Sequence, residues 1–135
     1  MVFEIISGLW IGNINDLYDE EFYNNNNINI VINCTKNQGF LNKNTTKIRI
    51  PFSNDNINND IQLLKDNKKK IVDFIYDNIS EYNIFICCYN GITISPLIVA
   101  LFMIEYGKIS LDDIRDIIQS KCAPALLNID LTIFN

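Results

Sequence analysis

The sequence predicts an α/β domain, with a central, mostly parallel sheet flanked by helices and residues 1–135 forming one unit. Three observations lead there. INIVIN at 28–33 and IFIC at 84–87 are apolar runs, the first β-branched, that read as buried strands. The stretches 61–79, 95–105 and the segment after Ser110 read as helices, the first with apolar residues at helical spacing. Strands alternate with helices before helices finish the chain, the order expected of a sheet whose parallel strands need helical crossovers. A length of 135 residues suits one domain, and 48% hydrophobic against 20% charged residues favours a packed core over disorder.

The elements follow in order. Residues 3–6 and 9–11 read as short strands around a Ser7-Gly8 turn. Asn15 is the expected cap of a short helix, with Asp16, Asp19 and Glu20 near its positive end, and the asparagine tract 24–27 ends it. Strand 28–33 comes next, then a strand over 47–50 stopped by Pro51. Residues 51–60 are a polar loop, and Asp60 is the expected cap of the helix 61–79. After strand 84–87 and loop 88–94, Ser95 at the N-cap with Pro96 at the first helical position opens an apolar helix that ends before Gly107. Ser110 caps another helix, with Asp112 and Asp113 in its first turn, and 126–134 forms a short terminal helix.

Composition excludes several classes of function. Sixteen acidic against eleven basic residues give a net charge of −5, and Arg49 and Arg115 supply the only guanidinium groups. That balance argues against a nucleic-acid partner. Lys68, Lys69 and Lys70 read as a solvated helix face. No apolar run approaches the roughly 20 residues of a membrane span, and MVFEIISGLW has no basic opening or long apolar stretch, so neither a membrane association nor a signal peptide is expected. The absence of histidine removes every mechanism that needs an imidazole base. Cys34, Cys87, Cys88 and Cys122 include no CxxC pair, so no metal and no cofactor is expected. Neither is a disulfide scaffold, and the chain reads as cytoplasmic, with reduced thiols. Cys34 and Cys122 read as small core residues. The 26 isoleucines and 21 asparagines both have A/T-rich codons, which points to a viral or protist genome.

The segment that carries chemistry is IFICCYNGITISP, residues 84–96. A buried strand feeds a short loop that feeds a helix start. Such a junction aims backbone N–H groups into one concavity and adds the partial positive charge of the helix N-terminus. A cysteine at the strand end would have its thiolate stabilised there, and Gly91 permits the turn. The same spacing also suits a buried structural cysteine beside an ordinary strand-to-helix turn. Cys87 and Cys88 point to opposite sides of the strand, so they do not read as a redox pair.

This segment resembles the signature of the cysteine-based dual-specificity protein phosphatases: His-Cys, five residues, Arg, then Ser or Thr. The same window here holds Cys87, Cys88, five residues from Tyr89 to Thr93, Ile94 and Ser95. Further pieces are similar to the family in order along nearly the whole chain. ISGLWIGNINDLYD resembles its first hairpin and helix, INIVINCT its second core strand, and IRIPFSND its strand and general-acid loop. SPLIVALFMIEYGKISLDDIRDIIQSK resembles the two helices after the phosphate loop. The resemblance implies a phosphate loop formed by Cys88, Tyr89, Asn90, Gly91, Ile92, Thr93, Ile94 and Ser95, with Cys88 at the nucleophile position. It places the general acid on Asn54 when counted without a gap from Pro51, or on Asp55 after a one-residue slip. Ser95 keeps the family's hydroxyl, and helix capping alone also accounts for it.

The pattern breaks at the chemistry. Ile94 stands where the family has the arginine that holds two phosphate oxygens through a planar fork. Cys87 stands where it has the histidine that keeps the nucleophile ionised. Arg115 or Lys121 could lend a cation, although both also read as surface residues. Three functions stay open. The leading one is a catalytically silent pseudophosphatase that works by binding a protein, either a phosphoprotein or a partner of an active phosphatase. The others are a weakly active protein phosphatase using Cys88 and Asp55, and a structural or virion scaffold subunit.

Overall fold

The opening hairpin pairs β1 (Phe3–Ile6) antiparallel with β2 (Leu9–Gly12). Gly8 takes the turn at a φ of 83°, and its N–H donates to the Glu4 carboxylate at 3.0 Å. The computed structural model describes residues 1–134 and completes a five-stranded sheet in the order β1-β2-β5-β3-β4. Here β3 is Ile28–Asn33, β4 is Thr46–Arg49 and β5 is Asn83–Cys87. β5 lies between β2 and β3 and runs parallel to both, and β3 runs parallel to β4. The expected α/β class, with a mostly parallel sheet between helices, is what the chain adopts.

Period-two alternation sorts each strand's side chains onto two faces. Ile30, Ile32, Ile84 and Ile86 belong to the larger core, covered by α3 (Ile57–Asn78), α4 (Ile94–Phe102) and α5 (Leu111–Lys121). Val31, Phe85 and Cys87 face the other way, toward Leu17, Phe22 and Tyr23 of α1 (Ile14–Leu17) and α2 (Glu20–Asn26). Phe85 and Phe22 meet edge to face, ring centres 5.0 Å apart. All nine residues of α4 are buried, as an uninterrupted apolar helix must be. A π-helical turn, Met103–Gly107, continues α4, and a short 3-10 helix, Leu131–Phe134, ends the described chain. No helix among the described residues is long and apolar enough to cross a membrane.

Several caps differ from expectation. The first helix is capped by Asn13, not Asn15, in a reciprocal box with Asp16, and Asp19 starts a separate second helix. Asn27 closes α2 in the left-handed conformation that asparagine tolerates. α3 begins four residues before 61 because Asn56, not Asp60, caps it, accepting from the amides of Asn58 and Asn59. Asp60 therefore lies inside the first turns of α3 and is buried. α4 begins at Ile94 after Thr93, and Ser95 is already helical rather than the cap. Ser110 caps α5 as expected, accepting from the Asp113 amide.

Candidate active site

The site forms beyond the carboxyl end of β5, where the crossover chain returns between two earlier strands. Ligand clefts of parallel sheets lie at such ends. Two ladder bonds fix the cysteine there: the Cys88 N–H donates to the Gly12 carbonyl at 3.2 Å, and the Cys34 N–H donates to that of Cys87 at 2.8 Å. The loop then doubles back over the Cys88 sulfur. Gly91 N–H donates to Sγ at 3.2 Å, Ser95 N–H donates to it at 3.3 Å, and the Ser95 hydroxyl lies 3.2 Å away. Gly91 has a φ of 73°, and a Cβ there would stand 3.0 Å from the Gly12 carbonyl carbon. Only glycine fits that approach. The Ser95 hydroxyl thus serves the sulfur, and the helix start goes without a side-chain cap.

Cys87 has a different environment. Its thiol sits on the α1–α2 face and donates to the Asn13 carbonyl at 3.4 Å. Burial, then the neighbouring Cys88 and Asp16, push its pKa well above the ordinary thiol range. It is a neutral thiol, so it supplies no positive charge to Cys88, which a protonated histidine in that place would. Cys34, fully buried, is likewise pushed up by burial and then by Cys88 and Cys87. All four cysteines are free and buried.

The mouth of the loop opens on a cleft of about 350 Å³ lined by Asn54, Ile57, Asp60, Thr93, Ile94, Asn128 and Ile129. No lysine or arginine lines it. Ile94 is 4% exposed and belongs to the apolar core. Arg115 does not line the cleft: its guanidinium donates to the carbonyls of Leu126 and of Ile129, behind the cleft wall. Lys121 is exposed at the end of α5. Asp60 organises the loop beside the cleft. One carboxylate oxygen accepts from the Ser53 amide and hydroxyl at 2.9 and 3.1 Å, and the other accepts from the Asn54 amide at 3.0 Å. That clamp holds Asn54 at a φ of 63° and places it on the cleft wall. Asp55 is exposed and does not line the cleft; its amide donates to the Ser53 hydroxyl. The structure thus brings together Cys88, the loop through Ser95, and Asn54.

Two residues act in ways the sequence reading did not assign. Asp60 is the loop clamp, and Asn90 turns its carboxamide inward over the loop. Asn90 Oδ1 accepts from the amides of Ile92 and Thr93 at 3.0 and 3.2 Å, and Nδ2 donates to Thr93 Oγ1 at 3.2 Å. An asparagine followed by glycine is the sequence signal for such a side-chain-closed turn. Tyr89 leans outward, its hydroxyl donating to Asn37 at 2.5 Å.

The family described as "Dual specificity phosphatase, catalytic domain" matches residues 9–132. The chain belongs to that family. Human DUSP28 superposes with a TM-score of 0.84 at 13% identity, over 98% of this chain and 88% of that one. DUSP15 gives 0.79 at 21%, over 92% and 78%. The human tyrosine phosphatase-like serine/threonine/tyrosine-interacting protein gives 0.76 at 15%, over 95% and 88%. At such identities these likenesses speak for the fold alone. No curated protein matches the chain by sequence.

Proposed function

We propose that this chain is a catalytically silent dual-specificity phosphatase domain that acts by binding a protein partner. One observation carries the reading: Ile94 stands where the family has its arginine, and the cleft at the Thr93–Ile94 end of the loop is lined by no cation. Phosphoryl transfer depends on neutralising charge on the transferred group, and phosphoryl-transfer arginines are worth about 10³–10⁵ in rate. The only ionisable side chain lining this cleft is a carboxylic acid, Asp60, so an arriving phosphate dianion would meet no balancing charge. Asn54, on the cleft wall, can donate a hydrogen bond but has no acidic proton to transfer to a leaving oxygen. The solved relative described as phosphatase-like and as an interacting protein offers a precedent for the fold in that role. The partner is a protein, and a loop mouth without a cation favours an unphosphorylated one over a phosphoprotein. Four free, buried thiols suit a reducing, intracellular setting.

Hydrolysis of a small aryl phosphate by the wild type and by Cys88→Ser tests the reading. Both are expected at the buffer blank. Wild-type turnover that Cys88→Ser abolishes would overturn it. That outcome would favour the second reading, a slow phosphatase, which rests on the two amides and the hydroxyl gathered around the Cys88 sulfur.

A further inference from the structure

The loss of the arginine leaves open whether the backbone cradle still takes an oxyanion, since such a cradle is made of N–H groups and needs no side chains. Four of its N–H groups have partners inside the loop itself. The Gly91 and Ser95 amides point at the Cys88 sulfur. The Ile92 and Thr93 amides point at Asn90 Oδ1. That oxygen lies 3.7 Å from the same sulfur. Reacting atoms in a productive complex stand about 3–3.5 Å apart. The Asn90 carboxamide oxygen therefore stands close to where a phosphoryl group would approach Cys88, on amides that would otherwise serve that group. Its Nδ2 is tied to Thr93 Oγ1, which fixes the amide in this orientation.

We infer that Asn90 is an internal ligand of the loop: its carboxamide oxygen holds two amides that a tetrahedral oxyanion would use, so oxyanion binding stays weak even where a guanidinium is supplied. This rests on the reading of a silent phosphatase domain and deepens it, because it gives the site a second block independent of Ile94. A neutral carboxamide oxygen makes weaker bonds to amides than a phosphate oxygen does, so the closure is reversible by mutation. Nothing else among the described residues competes for these two amides.

The test uses inorganic tungstate, a tetrahedral oxyanion, titrated calorimetrically into three variants of the full chain: Ile94→Arg, Ile94→Arg with Asn90→Ala, and Ile94→Arg with Asn90→Asp. Ile94→Arg alone is expected to bind weakly. Adding Asn90→Ala frees two amides for a charged oxygen and should tighten binding at least about tenfold. Adding Asn90→Asp keeps an oxygen on the same amides, now charged, and should bind no tighter than Ile94→Arg alone. Equal affinity of Ile94→Arg and its Asn90→Ala derivative would overturn the inference, as would tighter binding by the Asn90→Asp derivative. Hydrogen exchange on the unmodified chain gives a second measurement that needs no variant to fold. The Ile92 and Thr93 amides should be protected although they lie in a loop, and free exchange at both would also overturn it. The underlying reading is judged separately, by Cys88-dependent turnover of the wild type, so the two can fail independently.

Discussion

The floor and the rim of one loop have had opposite fates in this protein. The floor is built of backbone and small groups: Gly91 pressed against Gly12 and Asn13, and two amides and a hydroxyl gathered on the Cys88 sulfur. The rim is built of side chains: Ile94 in place of a guanidinium, Asn54 on the wall, Asn90 folded inward. The floor's bonds also tie β5 to β2 and to the start of α4. The rim side chains hold the loop too, Ile94 through the core and Asn90 through its turn, but none of them carries a positive charge. The difference separates what backbone hydrogen bonds hold in place from what the identity of a side chain sets.

That comparison can be broken or sharpened by stability measurements. The largest effect is expected from Gly91→Ala, which forces a side chain into a left-handed position against backbone 3.0 Å away. It should cost about 3 kcal/mol in urea unfolding. A midpoint near wild type would show that the floor can shift and is not fixed by the fold. Asp60→Ala removes the acceptor for two amides and a hydroxyl, and about 2 kcal/mol should be lost. An unchanged midpoint would show the loop before α3 to be unconstrained. Cys88→Ala strips the sulfur from two buried amides and should cost about 1–3 kcal/mol, against less than about 1 kcal/mol for Cys88→Ser, whose oxygen can still accept. Similar losses in both would mean that the donors around Cys88 do not contribute to holding the loop.

The two adjacent cysteines sharpen the comparison through pH. Burial raises Cys87 above its ordinary value of 9.0. The folded chain therefore keeps a proton that the unfolded chain releases above that pH. By linkage, the contribution of this thiol is fully present below pH 9 and is lost as pH rises toward the folded value. Stability should fall by about 1.4 kcal/mol per pH unit for each such thiol, Cys34 being a second. Cys87→Ala should flatten the alkaline limb by one thiol's share, measured as urea midpoints between pH 9 and 10.5. An unchanged slope would show that Cys87 ionises in the folded protein.

Much of the fold was legible in the residues because its signals are redundant. A strand such as INIVIN is marked at every position, and α4 carries nine apolar or small residues without a break. The loop was legible because Cys88, Gly91 and Ser95 keep fixed spacing between a strand and a helix, and the loss of the arginine needed only position 94 to be read. The placement of individual polar side chains was not legible. Asn13 rather than Asn15, and Asn56 rather than Asp60, cap their helices. Within a few residues several side-chain oxygens compete for the same orphan amides, and a cap is worth only about 1 kcal/mol. Such near-degenerate local choices are settled by what packs around them.

The sequence by itself determined the order of elements, the parallel sheet with β5 feeding the loop, the cysteine at its end and the absence of the guanidinium, since each follows from hydrophobic period, glycine placement or residue identity. Only the tertiary structure decided that Asp60 is a buried clamp, that Asn54 and not Asp55 faces the cleft, that the Ser95 hydroxyl serves a sulfur, and that Asn90 closes the loop over it. A polar side chain takes whichever donor or acceptor burial leaves unpaired, and which groups are buried is fixed by contacts between segments far apart in the chain.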